Sequence, residues 1–326
     1  SFTWTGGTCP ADTVRFTETT PQTPKATYHW WWDFGDPASG AFNNSNLRNP
    51  KHVFTGPGPF TVKYASTTVA GCLSDTIQQT INIPDFPDAV ASGNTTVCLN
   101  SAPAPQVTFT GSLGQAPYKF FYHINAGGPL SVTSPGNTAV ATISAPTNVA
   151  GTFIYTLDSV KNANATICSR SISGQQVTIT INPLPAAAVS AAVTVCQNDP
   201  ASVTFTGSGA TAPYTFNYTI NGNPQPPVTS VGNSITLPVN TATPGTYTYA
   251  ITSVTDASTT TCSQNYNNLS TTVTVKPLPG ATVTSSVPAI CQNTGPAPNI
   301  TFTGLLGTPP YTFQYTIDNG SGPGPV

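Results

Sequence analysis

The sequence predicts an all-β protein built as a linear array of β-sandwich modules. Runs rich in Val, Thr, Ile, Tyr and Phe alternate with polar residues at a period of two, and Gly, Pro and Asn separate these runs. Alternating runs with turn residues about every 8 to 12 positions are typical of antiparallel sandwiches, in which each strand buries one face. No segment has a convincing helical period.

A repeated unit sets the size of the modules. Each copy begins at a cysteine and continues with a Val/Ile-Thr-Phe-Thr-Gly run and a Pro-Tyr-x-Phe run, and the first two copies close on Pro-Leu-Pro. The starting cysteines, Cys98, Cys196 and Cys291, lie 98 and 95 residues apart. Each unit therefore has the size of a domain and not of a solenoid repeat.

The strands of each copy follow in the same order. The Pro-Tyr-x-Phe run starts a strand with one buried face, a Gly-Thr-aromatic run starts a second central strand, and alternating Val, Ile and Thr form the last. The predicted strands cover residues 118–124, 151–155 and 177–181, then 214–220, 245–249 and 271–275, then 311–317. Proline-rich junctions at 83–87, 182–185 and 276–279 favour stiff, extended spacers.

Composition indicates a location outside the cell. Only 6% of residues are charged and there is no Met, so hydroxyls and amides must keep the surface wet. The net charge of −2 offers no basic stripe for phosphates, which excludes nucleic acid as an expected partner. No apolar run approaches about 18 residues, so no membrane insertion is expected in this segment.

The seven cysteines predict one disulfide in each complete module. The expected pairs are Cys9–Cys72, Cys98–Cys168 and Cys196–Cys262. Closing loops of this size stabilises each module by about 4 kcal/mol, and such bonds persist in an oxidising extracellular or cell-surface location. Zinc is the competing use of cysteine, but the sequence has no CxxC pair and no Cys/His cluster.

Cys291 has no expected partner in this chain. By analogy with the complete copies, its mate would lie at about position 357 to 361. Either the chain is cut from a longer array of modules, or a neighbouring molecule completes the last one. Both alternatives stay open from the sequence.

Three motifs follow one another in the first module. They are Trp-Trp-Trp-Asp-Phe-Gly-Asp at 30–36, Asn-Pro-Lys-His-Val-Phe at 49–54 and Gly-Pro-Phe-Thr-Val at 58–62. With them, residues 9–83 resemble the PKD (polycystic kidney disease) domain, with a loop at 37–46 in place of a compact turn. The resemblance implies an Ig-like β-sandwich that acts as a spacer or interaction module in cell-surface proteins, without catalysis.

The region from residue 93 onward resembles the Thr-rich, PKD-like or Ig-like repeats of long Bacteroidota surface adhesins exported by type IX secretion. Val-Cys-Gln-Asn at 195–198 and the two repeated runs carry this resemblance. The expected domains are a PKD-like sandwich at 1–86, the first module, and Ig-like repeats at 87–185, 186–279 and, incomplete, 280–326. The last three are called repeat 1, repeat 2 and repeat 3.

Three Asp-(Ser/Thr)-hydrophobic triplets fit the O-glycosylation pattern that this second resemblance implies. Their acceptor residues are Thr13, Thr76 and Ser159. Glycans at these positions would help a nearly uncharged surface to stay soluble.

The tryptophan triplet is the best candidate for a contact site. By strand alternation, Trp30, Trp32 and Phe34 share the buried face, whereas Trp31 points outward. An exposed Trp stacks on sugars or becomes buried at protein contacts. Trp31 is therefore a possible contact for surface glycans.

The carboxylates and histidines of the first module predict no chemistry. Asp33 and Asp36 could bind calcium, but a cap by Asp36 on the turn after Gly35 is the simpler expectation. His52 belongs to the PKD-like motif and is expected to be a structural hydrogen-bonding residue. The sequence has no Ser/His/Asp set, HExxH motif or Gly-rich loop before a helix, so no catalytic residue, metal site or cofactor is expected.

Three functions are compatible with the sequence. The favoured one is a non-enzymatic stalk or fibre segment of a long, extracellular, glycosylated bacterial adhesin, whose partners are other copies or further modules of the same protein. The second is a filament subunit completed by strand exchange with a neighbour. The third is a set of carbohydrate-binding accessory modules of a secreted enzyme.

Overall fold

The all-β prediction is confirmed. The computed structural model describes residues 1–21, 28–162, 168–291, 294–318 and 323–324. In these residues the regular secondary structure consists of β-strands and one 3-10 helical segment, Pro37–Asn43. The chain forms two compact units, Ser1–Ile181 and Asn182–Val326.

The first module is a sandwich of two sheets. Its strands are β1 (Phe2–Thr5), β2 (Thr13–Glu18), β3 (Tyr28–Asp33), β4 (Asn44–Ser45), β5 (Lys51–Val53), β6 (Gly58–Thr68) and β7 (Ile77–Ile83). One sheet has the strand order β1-β2-β5 and the other β4-β3-β6-β7. Aromatic rings fill the space between them: the ring centroid of Trp32 lies 4.5 Å from that of Tyr64 and 5.1 Å from that of Phe2.

Repeat 1 is the second sandwich of the first unit. Its strands are β8 (Asp88–Ser92), β9 (Thr95–Cys98), β10 (Gln106–Ser112), β11 (Tyr118–Ile124), β12 (Leu130–Thr133), β13 (Val140–Ser144), β14 (Gly151–Asn162), β15 (Ser169–Ser171) and β16 (Gln176–Asn182). The sheets have the orders β13-β10-β8 and β12-β11-β14-β16-β9, and β15 pairs with β14. The strand predicted at 118–124 is β11, and those predicted at 151–155 and 177–181 lie in β14 and β16.

Repeat 2 has the same plan. Its strands are β17 (Ala186–Val189), β18 (Val193–Cys196), β19 (Ser202–Ser208), β20 (Thr215–Ile220), β21 (Asn223–Pro224), β22 (Val228–Thr229), β23 (Ser234–Pro238), β24 (Gly245–Thr255) and β25 (Ser263–Lys276). The sheets have the orders β17-β19-β23 and β18-β25-β24-β20-β21, and β22 pairs with β20. The core lies between these sheets and includes Phe205, Phe216 and Val254, all fully buried.

The described residues of repeat 3 form only part of this plan. Its strands are β26 (Gly280–Ser285), β27 (Ile300–Leu305), β28 (Ile317–Asp318) and β29 (Pro323–Gly324), paired as β26-β27 and β28-β29. The strand predicted at 311–317 is wrong for all but its last residue. In repeat 2 the equivalent strand β20 pairs with β24, and in the described part of repeat 3 no strand takes the place of β24.

A contact between glycine and tyrosine explains why the Thr-Gly and Pro-Tyr motifs recur together. Built onto each glycine, a Cβ atom would overlap the ring of the tyrosine seven residues later, at 2.6 Å in repeat 1. The tyrosine hydroxyl donates to a loop carbonyl oxygen, which is that of Ala210 at 2.7 Å in repeat 2. The pairs are Gly111–Tyr118, Gly207–Tyr214 and Gly304–Tyr311.

Gly111→Ala is expected to destabilise repeat 1 by about 1 to 3 kcal/mol, because the added methyl group overlaps the Tyr118 ring in a closely packed core. Gly128→Ala is the matched control. At Gly128 no atom lies within 4 Å of the added Cβ, so the change should stay within about 0.5 kcal/mol. Urea denaturation followed by circular dichroism measures both variants, and equal midpoints would contradict a role for the ring contact.

Candidate functional site

Trp31 lies on the outer face of the first module. Trp32 on the same strand is buried, Trp30 is half-buried against the same core, and Trp31 is 42% exposed. The cross-strand partner of Trp31 is Ala65 on β6. The predicted outward orientation is confirmed, and a contact function for Trp31 stays a prediction.

A buried carboxylate and a histidine hold the module together beside this strand. Asp36 is 1% exposed and accepts hydrogen bonds from the Thr55 backbone N–H (3.0 Å) and the Thr55 hydroxyl (2.6 Å). His52 Nε2 lies 3.0 Å from Asp36 Oδ2, the oxygen that also accepts from the Thr55 backbone N–H, and it donates there because an ionised carboxylate only accepts. The His52 ring stacks on Phe34 with centroids 4.3 Å apart. These contacts give His52 a structural role.

Hydrogen bonding keeps the Asp36 carboxyl ionised. Burial raises its pKa, but the hydrogen bonds from Thr55 and His52 outweigh burial and hold the pKa below its ordinary value. At neutral pH Asp36 is therefore an ionised acceptor of three hydrogen bonds from the protein and carries no proton to donate as an acid.

The turn cap that was expected from Asp36 is made by Asp33 instead. Asp33 Oδ1 accepts from the Gly35 backbone N–H and from Asn43 Nδ2, each at 2.9 Å. The Asp36 side chain makes no cap because it turns toward His52 and Thr55. Both carboxylates are thus committed to separate protein donors. Among the described residues no group of three or more His, Cys, Asp or Glu side chains is placed to hold a metal ion.

A cavity that sequence reasoning missed lies beside this pair. Its volume is about 490 Å³, and its walls come from the 3-10 segment, β4 and β5. The lining combines the apolar side chains of Phe42 and Val53 with polar Ser39, Asn44 and Lys51. Phe42 is 78% exposed. An aromatic side chain next to hydroxyl and amide groups suits a small neutral ligand such as a sugar. The one signal in the sequence is the loop at 37–46 that replaces a compact turn.

The disulfide of the first module differs from the prediction. Cys9 is bonded to Cys168, with their Cα atoms 5.4 Å apart, inside the usual range for a disulfide. Because Cys9 belongs to the first module and Cys168 to repeat 1, this bond joins two successive sandwiches. The predicted pairs Cys9–Cys72 and Cys98–Cys168 are therefore wrong.

The states of the other cysteines also differ from the predicted pairing. Cys98 and Cys262 are each disulfide-bonded, whereas Cys72, Cys196 and Cys291 are exposed free thiols. The predicted pair Cys196–Cys262 is wrong because Cys196 is free. Cys72 lies on an exposed turn between β6 and β7, where its N–H donates to the Thr68 hydroxyl at 3.2 Å.

The three predicted glycosylation acceptors differ in accessibility. Thr76 is exposed and directly precedes β7, whereas Thr13 on β2 and Ser159 on β14 are half-buried within strands. The carboxylate of the neighbouring residue, Asp158, forms a hydrogen bond with His123 Nδ1 at 2.9 Å. Thr76 is thus the most accessible of the three, and glycosylation stays a prediction. No helix in the described part of the chain has the length and apolarity needed to cross a membrane.

Comparison with known families agrees with the sandwich of the first module. Residues 5–83 match the PKD domain family, so this module carries a PKD domain. None of the curated proteins matches the chain.

Several solved structures align with the chain at low sequence identity and low TM-score. The Escherichia coli alpha-2-macroglobulin (ECAM) aligns at 10% identity and a TM-score of 0.29, over 88% of this chain but 24% of that chain. The fibronectin(III)-like modules of Clostridium thermocellum CbhA align at 12% identity and a TM-score of 0.25, over 58% of this chain and 95% of that chain. A marsupial T cell receptor aligns at 11% identity and a TM-score of 0.32, over 81% of this chain and 99% of that chain. These likenesses identify no function.

Proposed function

We propose that the chain is a non-enzymatic structural segment of a stalk or fibre in a long, extracellular, glycosylated bacterial surface adhesin of the Bacteroidota type, exported by type IX secretion. The observation that carries this proposal is the Cys9–Cys168 bond, which joins a PKD domain covalently to the next sandwich. Disulfides form and persist in oxidising locations outside the cytosol.

The chemistry of the first module supports a non-enzymatic role. Its buried titratable pair, Asp36 and His52, is used within the core, where Thr55 completes the hydrogen bonding of the carboxylate. Only 6% of the residues are charged, which leaves few groups for acid, base or nucleophilic catalysis.

Surface labelling of the source cells tests the location. Antibodies raised against this chain should label intact cells, and external protease should remove the label. Labelling that appears only after permeabilisation would overturn the proposal.

Module replacement tests the spacer role. Exchanging residues 1–326 for unrelated sandwich modules of equal length should restore attachment of cells to surfaces, whereas deleting the segment should weaken it. Failure of the exchange together with success of the native segment would indicate a contact function instead.

A second function, glycan binding by the first module, is favoured by its exposed aromatic residues and the 490 Å³ cavity. Trp31→Ala is expected to weaken glycan binding by about tenfold or more if its exposed ring stacks on sugar. Phe42→Ala tests the cavity separately. Glycan arrays probed with both variants and with Leu73→Ala, another exposed position, measure this. Equal glycan binding by all three variants and the native chain would show that neither aromatic residue contacts the glycan.

A further inference from the structure

Repeat 3 exposes an apolar sheet face. A cavity of about 590 Å³ on this face is lined by Val283, Ile300, Phe302, Tyr315, Thr316 and Ile317. Ile300 is 53% exposed and Ile317 58% exposed, which is unusual for residues that alternate with polar neighbours in a sandwich strand. No described residue of repeat 3 therefore covers this face.

Repeat 2 shows what covers such a face. The counterparts of Ile300 and Phe302 by sequence are Val203 and Phe205, which are 1% and 0% exposed. They lie in one core with Tyr249 and Ile251 of β24 and with Val273 and Val275 of β25. A strand pair of the β24–β25 type thus fits the open face of repeat 3 by sequence equivalence.

The cysteines fall into two structural classes. In the early class, the cysteine carbonyl accepts a hydrogen bond from the N–H three residues later, at 3.0 to 3.2 Å. In the late class, the carbonyl accepts a hydrogen bond from the residue at or just after the end of the preceding long strand, at 3.0 Å. Early cysteines are Cys9, Cys98, Cys196 and Cys291, and late ones are Cys72, Cys168 and Cys262.

Within each class, the position of the module along the chain decides which cysteines are bonded and which are free. The early Cys9 bonds the late Cys168 of the following module. The early Cys98 and the late Cys262 are also disulfide-bonded. Among the described residues, the free early cysteines are those of the last two modules, and the free late cysteine is that of the first.

We infer that the open face of repeat 3 is covered by a strand pair of the β24–β25 type, joined to repeat 3 itself, and that the late cysteine between its two strands bonds Cys196. Cys196 would then be linked to the module after its own, as Cys9 is. This inference deepens the proposed function and rests on it only for an oxidising location.

The bond forms by thiol–disulfide exchange with an oxidant such as oxidised glutathione. The thiolate of one cysteine attacks the oxidant disulfide and releases one glutathione thiolate. The thiolate of the second cysteine then attacks the mixed disulfide and releases the other glutathione. The two protein thiols together lose two protons and two electrons, and two reduced glutathione molecules carry them away.

The test extends the full chain at Val326 with a copy of residues 229–279, which supplies the strand pair and its cysteine. After oxidation in a glutathione buffer, non-reducing peptide mapping should link Cys196 to the appended copy of Cys262. Alkylation should then label Cys72 and Cys291 but no longer Cys196. The fluorescence of an apolar dye such as ANS should fall relative to the unextended chain as the face becomes covered.

Cys262→Ser in the appended copy alone is the control. It should still lower ANS binding and leave Cys196 open to alkylation. A bond from the appended cysteine to Cys291, or no bond to Cys196, would overturn the inference. So would a dimer of the unextended chain in light scattering that already excludes ANS, because a second copy would then be the cover. These outcomes are independent of surface labelling, which tests the proposed function.

Discussion

Replacing Cys168 by Ser is expected to lower the stability of the first unit by about 5 kcal/mol for the joint unfolding of its two modules. The Cys9–Cys168 bond spans 159 residues, and chain entropy gives a stabilisation of about this size for such a loop. All four Trp lie at positions 4 and 30–32, so Trp fluorescence reports on the first module. The loss of stability is measured as the decrease in the midpoint of urea denaturation in the absence of reductant.

Cys72→Ser is the matched control for this experiment. Because Cys72 is exposed and free, its replacement should leave the midpoint unchanged. A lower urea midpoint for Cys72→Ser, together with an unchanged midpoint for Cys168→Ser, would indicate a disulfide within the first module instead. Peptide mapping gives a second measurement, with a linked Cys9–Cys168 peptide and an alkylated Cys72 as the expected result.

Asp36→Ala is expected to destabilise the first module by about 3 to 5 kcal/mol. The change removes the shared acceptor of three hydrogen bonds and leaves the donors of His52 and Thr55 without a partner in the core. Asp75→Ala, at an exposed position before β7, should stay within about 0.5 kcal/mol. Trp fluorescence in urea measures both variants, and similar losses would argue against a special role for Asp36.

The Asp36 carboxyl also predicts acid sensitivity of the first module. Its pKa is lower in the folded state than in the unfolded state, so its contribution to stability is complete above the unfolded pKa of about 3.9 and is lost as the pH falls through the folded pKa. The native chain should therefore lose stability below about pH 4, and Asp36→Ala should show a flatter dependence there. Parallel curves for the two proteins would contradict this assignment.

The strands of the complete repeats could be predicted because alternation is a local property of sequence. β11 begins and ends where the alternation at 118–124 does. Residues 311–316 alternate in the same way and yet form no strand, because a strand also needs a neighbour to pair with. The local pattern therefore indicates where a strand can form, and the strand forms only where a neighbouring strand is present to pair with it.

The disulfide pairing could not be predicted from spacing. Cys168 lies 70 residues after Cys98 and 159 after Cys9. The shorter loop is favoured by only about 0.7 kcal/mol of closure entropy, which is too little to choose between the pairs. The choice is made by which two cysteines approach to bonding distance in the fold, and the repeat pattern carries no information on this.

The candidate site was predictable in part. The orientation of Trp31 follows from the alternation along β3, and the structural role of His52 follows from its motif. The cavity beside Phe42 could not be predicted, because the 3-10 segment that forms one wall has no periodic pattern in its sequence. Asp33 makes the turn cap that the sequence predicts for Asp36, because both carboxylates lie within reach of the same turn and Asp36 accepts from His52 and Thr55 instead.

The Cys9–Cys168 bond also determines how the protein would respond to tension. When the chain is pulled from its two ends, the force passes through the sulfur atoms and bypasses the 159-residue span between them. Fully extended, a span of that length would measure about 550 Å. While the disulfide is intact, Cys9 and Cys168 stay together under load even if a sandwich inside the loop unfolds. Reduction of this bond would let the two residues separate, and the residues between them would then carry load, up to the limit set by the remaining disulfide of Cys98.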